Sequence, residues 1–317
     1  MDGMKRFPLV LLLATSMLCS APAAGAVPVA KPGAYTGAAV AVSYGSATLR
    51  GAIAPRGSAT TYYFQYGPTA AYGSQTAVGD VGAVRGAVKV SVAISGLAPL
   101  TVYHYRLIAV NAAGAATGVS RAFKTGRVPL SLQVLVSPNP TLYGSTATVQ
   151  GTLSGTGNAG RAVVMQENPF PYTAGFVDVG NPELTTATGS FSFLAPGLTQ
   201  ATQFRVVTTT NPPVVSPVAI EGVAVRVSAH VGRTRRRHHA RIYGTVTPAV
   251  DGMEVGIMRV IGGRNVLVSG TVLRHGSATT SRFSRTIRVH KHALYRVLVR
   301  VTNGAQVSNY SSPLFIR

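Results

Sequence analysis

Apolar residues along the body of this chain recur at every second position, and that regularity confines it to β structure. Val88-Lys89-Val90-Ser91-Val92 alternates cleanly, and Tyr295, Val297, Val299 and Val301 alternate with Arg296, Leu298 and Arg300. Ala47, Leu49, Gly51 and Ile53 do the same against Thr48, Arg50 and Ala52. Side chains two apart share one face of a strand, so each run offers one face to a core and one to water. The helical spacing i, i+3, i+4, i+7 is not sustained beyond the N-terminus. Turn-forming clusters break the strands: Pro55-Arg56-Gly57, Pro138-Asn139-Pro140, Gly155-Thr156-Gly157-Asn158 and Asn211-Pro212-Pro213. Short strands separated in this way, about 8–12 residues apart, predict an all-β chain built as sandwiches or barrels.

Two shifts in composition divide the 317 residues. Gly126-Arg127-Val128-Pro129 separates a Tyr-rich region from one rich in Thr and Asn-Pro, and near Glu221-Gly222 acidic residues give way to arginines. The expected domains are therefore 31–126, 128–222 and 223–317, each about the length of one sandwich. The second and third read as copies of each other. Val149-Gln150-Gly151-Thr152-Leu153 parallels Ile242-Tyr243-Gly244-Thr245-Val246, Gly160, Val163 and Met165 parallel Gly252, Val255 and Ile257, and Phe204-Arg205-Val206 parallels Tyr295-Arg296-Val297. A near-constant offset with small slips in loops is the mark of tandem duplication.

Leu97-x-Pro99-x-Thr101-x-Tyr103-x-Tyr105, followed by Leu107, Ala109, Asn111 and Gly114, resembles the run that ends strand E and forms strand F of a fibronectin type III domain. Upstream, Ser46 to Gly51 resembles strand B of that family and Thr61 to Gly67 strand C, while Arg121 to Thr125 resembles its last strand. The resemblance covers residues 35–125. It implies a seven-stranded sandwich with a binding or spacer role, no catalytic residues, and a corner tyrosine at Tyr103 whose hydroxyl is pinned to nearby backbone. The family often places a Trp in its core; this chain has none, so Tyr62, Phe64 or Tyr66 must fill that volume. The other two segments resemble bacterial immunoglobulin-like domains, through Leu132-x-Val134-x-Val136-x-Pro138 and Tyr143-Gly144-x-x-Ala147-x-Val149-x-Gly151.

The N-terminus reads as a secretory signal peptide over residues 1–26. Lys5 and Arg6 supply the positive start, Phe7 to Leu18 an uncharged apolar run, and Ala24-Gly25-Ala26 the small residues of a cleavage site. The apolar run is well short of the roughly 20 residues needed to span a bilayer. Cys19, the single cysteine, follows Leu18 and Met17, a poor match to an acylation signal; its lipidation stays open. The expected location is extracellular or cell-surface, with no transmembrane segment in the mature protein.

Few residues are equipped for chemistry. Eight carboxylates in the whole chain leave little for calcium sites or acid–base pairs, and one cysteine rules out a thiolate zinc cage. His290-x-His292 puts both rings on one face of a strand, a workable ligand spacing, but arginines surround it. No G-x-S-x-G elbow, phosphate loop or dinucleotide fingerprint occurs. Glu167, Asp178 and Glu183 fall along a stretch read as a long loop, 166–184, together with the aromatic residues Phe170, Tyr172 and Phe176. That loop is a candidate binding surface, and it carries the alternative reading of a carbohydrate-binding accessory protein. The expected protein is not an enzyme and uses no metal or cofactor.

Charge is the functional signal with most weight. Lys and Arg number 29 against 8 Asp and Glu, a net charge of +21. Residues 31–126 carry 8 basic and 1 acidic residue, 128–222 carry 2 and 4, and 223–317 carry 16 and 2, so the nets are +7, −2 and +14. The densest run, Arg233, Arg235, Arg236, Arg237, His238, His239 and Arg241, is the candidate anion-binding patch. Three readings compete: attachment to anionic envelope polymers or acidic polysaccharide, nucleic-acid binding, and a solvated face in a chain that favours Arg over Lys. Export argues against an intracellular nucleic-acid role, and no base-stacking aromatic residue is read among the arginines. The expected protein is a secreted binding and spacer protein held electrostatically to anionic material, with other surface proteins as further partners.

Overall fold

The computed structural model describes residues 29–316. The signal peptide and Cys19 therefore lie outside the described residues. Within them every regular element is a strand, and no helix is long and apolar enough to cross a membrane. The chain forms two compact units that divide between Gly126 and Arg127.

The first unit holds nine strands: β1 (Gly33–Thr36), β2 (Ser46–Ala54), β3 (Thr60–Gly67), β4 (Ser74–Gln75), β5 (Gly79–Gly82), β6 (Val88–Ser95), β7 (Val102–Asn111), β8 (Gly114–Thr117) and β9 (Arg121–Lys124). They make two sheets, β1-β2-β6 and one built around β3 and β7. Between the sheets lie Leu49, Ile53, Phe64, Tyr105 and Leu107, each almost fully buried. Burying such a side chain contributes roughly 1.5–3 kcal/mol. Phe64 takes the central volume, while Tyr62 and Tyr66 pack partly buried at its margins. The Tyr103 hydroxyl accepts a hydrogen bond from the Ala98 N–H at 3.0 Å.

The second unit contains two further sandwiches. One comprises β10 (Ser131–Ser137), β11 (Thr141–Leu142), β12 (Ser145–Ser154), β13 (Ala162–Pro169), β14 (Val177–Leu184), β15 (Ser190–Leu198), β16 (Thr202–Thr208), β17 (Ala219–Glu221) and β18 (Val223–Ala224). The other comprises β19 (Arg226–Arg233), β20 (His239–Thr247), β21 (Glu254–Ile261), β22 (Arg264–Val272), β23 (Arg274–Ser277), β24 (Thr280–Arg288), β25 (Ala293–Arg300), β26 (Asn309–Tyr310) and β27 (Leu314–Ile316). Sheet β10-β12-β15 faces β14-β13-β16-β17, and β19-β20-β24-β23 faces β22-β21-β25-β26. The order β10-β12-β15 corresponds to β19-β20-β24 and β14-β13-β16-β17 to β22-β21-β25-β26, while β23 is an additional edge strand of the third sandwich.

One glycine fixes the equivalence. At Gly151 an added Cβ would strike the Gln133 carbonyl and lie 2.6 Å from the Phe191 ring; at Gly244 it would strike the Ser228 carbonyl and lie 2.8 Å from the Phe283 ring. In each sandwich the second strand passes so close to its neighbour, under a core phenylalanine, that only a residue without a side chain fits.

Two expectations are corrected. Residues 166–184 are a hairpin rather than a long loop: β13 and β14 pair antiparallel, with Gln166 opposite Asp178 and Glu167 opposite Val177. His290 and His292 lie in a turn rather than on one strand face, and His292 has φ +55°. That turn is the corner that precedes β25. Its tyrosine, Tyr295, is fully buried, and its hydroxyl accepts from the His290 N–H at 3.1 Å, in the same relation as Tyr103 to Ala98.

The second and third sandwiches meet without a linker. Val223 is buried in the second core and Val225 in the third. β11 and β18 pair in parallel across the crossing. The Val307 N–H donates to the Val223 carbonyl at 2.8 Å, and Arg226 reaches back, its Nε donating to the Tyr143 carbonyl at 2.6 Å. Glu221 is fully buried here; one carboxylate oxygen accepts from the Thr141 N–H at 2.7 Å and the other has no protein partner.

Candidate functional site

The basic run of the sequence folds into a hairpin. β19 and β20 pair with Arg233 opposite Ala240, and residues 234–238 form the loop between them. The Thr234 hydroxyl lies 2.9 Å from the His239 carbonyl and 3.1 Å from that of Arg236, so the loop is braced from within. Its outer side is tied down by the Val289 N–H, which donates to the His238 carbonyl at 2.8 Å. Arg235, Arg236 and Arg237 project from this frame, exposed.

Strand alternation then separates residues that are neighbours in sequence. Arg233, Arg237, His238 and His239 line a cleft of about 720 Å³ with Lys291 and Phe315. Arg241 lines a different cleft, of about 600 Å³, with His230, Tyr243, Arg274, Arg282 and Arg285. Arg235 and Arg236 line neither. The patch expected from the sequence is thus two surfaces, joined through one strand.

The second surface is the outward face of sheet β19-β20-β24-β23. Register places Tyr243 between His230 and Ser284, and Thr245 between Ser228 and Arg282, with Arg274 opposite Arg282 on the edge strand. Tyr243 is 40% exposed. The Arg241 guanidinium lies 5.3 Å from its ring centre, and the His230 ring packs 5.7 Å from it. The sequence reading finds no base-stacking aromatic among the arginines; the structure does place one aromatic residue there, Tyr243, with Arg241 and His230 against its ring. Tyr243 stands two residues after Arg241, where period two puts it on the same face. That is the signal that could have found it. His230 and Arg274 join the surface only through cross-strand pairing.

Counter-charges are scarce. Among the described residues the third sandwich has two ionic contacts: Arg300 with Glu254 at 3.7 Å, and His275 with Asp251 at 3.3 Å. Arg241 and Arg285 donate instead to hydroxyls, of Ser284 at 2.7 Å and Ser269 at 3.2 Å. Asp251 also accepts from the Ser281 hydroxyl. This Ser–Asp–His grouping lacks the arrangement of a nucleophile: Ser281 is fully buried, its oxygen accepts from the Val250 N–H and donates to Asp251, and His275 meets the carboxylate rather than the serine.

The acidic hairpin of the second sandwich is organised differently. Direct pairing puts Gln166 with Asp178 on one face and Glu167 with Val177 on the other, so Glu167 and Asp178 cannot flank one substrate bond. Partial burial pushes the Glu167 carboxyl above its usual range by desolvation. The three loop aromatics are half-buried, each against a neighbour. Phe170 packs against Gly304 of the third sandwich and edge-on to Tyr172 at 5.6 Å, and Phe176 lies under the Arg205 guanidinium at 4.1 Å.

No protein-family model matches this chain, and no curated protein matches it. Similar solved structures include domains A168-A170 from titin, at 15% identity with a TM-score of 0.36, covering 90% of this chain and 98% of that one. A tetra-tandem repeat in the extending region of a large adhesion protein is 16% identical, with a TM-score of 0.29, over 90% of this chain and 74% of that one. The FN1-FN3 domains of chicken CNTN1 are 14% identical, with a TM-score of 0.28, over 89% and 95%.

Proposed function

We propose that this chain is a secreted, non-enzymatic binding and spacer protein that attaches through its third sandwich to anionic polymers of a cell envelope or matrix. The observation that carries the reading is the convergence of basic side chains around two clefts with almost no carboxylate nearby. Guanidinium groups present paired donors that match carboxylate, sulfate and phosphate oxygens, and unpaired ones keep that capacity free for a ligand. Export rests on the signal-peptide pattern at residues 1–26. The expected domains 31–126, 128–222 and 223–317 enter the proposal as a first module, an acidic second and a basic third.

The test is a salt wash of the native protein on envelopes, followed by fractionation. Attachment of this kind falls steeply as the Debye length shrinks from about 10 Å at 0.1 M salt towards 3 Å at 1 M. Retention on envelopes that is unchanged at about 0.5 M salt overturns the reading.

A further inference from the structure

The geometry points to the outward face of β19-β20-β24-β23, centred on Tyr243, as a site for a linear acidic polysaccharide, one that carries carboxylate or sulfate groups along a hydroxyl-rich chain. This deepens the attachment reading and rests on it. Three features of the face bear on the choice.

First, like charges face each other. Arg274 and Arg282 are directly paired across β23 and β24, an arrangement that repels and costs stability when nothing lies between. An anionic group seated over the pair relieves that repulsion; among the described residues the nearby carboxylate, Asp251, is engaged by His275 and Ser281 and pairs with neither arginine.

Second, charge and hydroxyl alternate in rows. Arg282 shares a row with Thr245 and Ser228; the next row holds Ser284, Tyr243 and His230; the next holds Thr286 and Arg241. Rows on one face are two residues apart, about 7 Å. An anion-binding row, a neutral hydrogen-bonding row and another anion-binding row follow in turn. A polymer that alternates acidic groups with sugar hydroxyls matches this spacing in kind, whereas the hairpin tip offers three arginines in a row with no such interval.

Third, the one aromatic ring on the face, though 40% exposed, already has neighbours packed against it. The Arg241 guanidinium and the His230 ring both pack on Tyr243, so it offers its hydroxyl more than an open face. Single-stranded nucleic acid is held largely by bases stacked on open aromatic rings. A sugar hydroxyl needs only the Tyr243 oxygen.

The experiment uses the full mature chain with polygalacturonate and oligodeoxythymidylate as probes, over a salt series. Two double variants remove equal charge: Arg241→Ser with Arg282→Ser on the face, and Arg235→Ser with Arg236→Ser at the hairpin tip. A third, Tyr243→Phe, removes only the hydroxyl. All alter exposed positions, and unchanged thermal unfolding confirms that each folds. The expected result is that the face pair weakens polygalacturonate binding at least tenfold more than the tip pair. Tyr243→Phe should weaken it about fivefold, with the salt slope unchanged, as for one lost hydrogen bond. Equal losses from the two pairs overturn the site while leaving diffuse electrostatic attachment intact. Tighter binding of oligodeoxythymidylate, with polygalacturonate weak, overturns the polysaccharide as occupant. Absence of binding to either probe at low salt overturns the attachment reading itself.

Discussion

The second and third sandwiches are the same frame with different outer faces. Where β20 and β24 present Arg241, Tyr243, Thr245, Arg282, Ser284 and Thr286, the matching positions of β12 and β15 are Thr148, Gln150, Thr152, Ser190, Ser192 and Leu194. Their inward rows barely differ in kind: Val149 and Ile242, Phe191 and Phe283 are buried in both. The core therefore dictates nothing about charge. A β-sandwich separates the two decisions physically, because alternate residues answer to different solvents.

The sharpest way to break the comparison is at the shared glycine. Gly244→Ala and Gly151→Ala should each destabilise by about 3 kcal/mol, since the new Cβ meets a backbone carbonyl and a phenylalanine ring that cannot both yield. Urea unfolding of the full chain measures this. A loss below about 1 kcal/mol at one position and not the other would show that the two frames are packed differently.

A second, smaller effect comes from transplanting the face. Thr148→Arg, Gln150→Tyr and Ser190→Arg together should give the second sandwich a copy of the surface around Tyr243 at little cost to stability, because the positions are partly or fully exposed. Affinity of the full chain for polygalacturonate should rise by up to about tenfold, the order expected from a couple of charge-assisted hydrogen bonds. No gain would mean that the edge strand β23, which has no equivalent in the second sandwich's sheet, is indispensable.

The smallest effect is expected where the two sandwiches join. Burial raises the folded pKa of Glu221 above its ordinary value, with the hydrogen bond from Thr141 opposing that rise. The folded state therefore holds this proton longer than the unfolded chain does. The group's contribution to stability is full below the ordinary carboxylate pKa of about 4.5 and is lost as pH rises through the folded value. Glu221→Gln should leave stability at neutral pH equal or higher and flatten that decline. Thermal unfolding at several pH values decides it; a decline just as steep in the variant would place its origin elsewhere.

Much of this was legible in the sequence, and the failures have physical causes. Alternation marked the long strands because each has one buried face, as in β25, where Tyr295, Val297 and Val299 face the core. The repeat was legible because Gly151 and Gly244 are held by sterics. β14 looks like loop in the sequence because it carries Gly180 and Pro182, which an edge strand tolerates since one side of its backbone needs no partner. The corner before β25 looks like strand in the sequence because His292 occupies a left-handed position where a glycine would signal a turn. The face around Tyr243 is not legible in the run of consecutive arginines, because it is assembled across four strands from residues far apart in the chain.

The crossing at Val223 and Val225 has a consequence for orientation. With one residue buried in each core and no slack between them, the basic and acidic sandwiches are held as one body, and their charges form an electric dipole locked to the fold. Near an anionic surface such a body feels a torque as well as a pull.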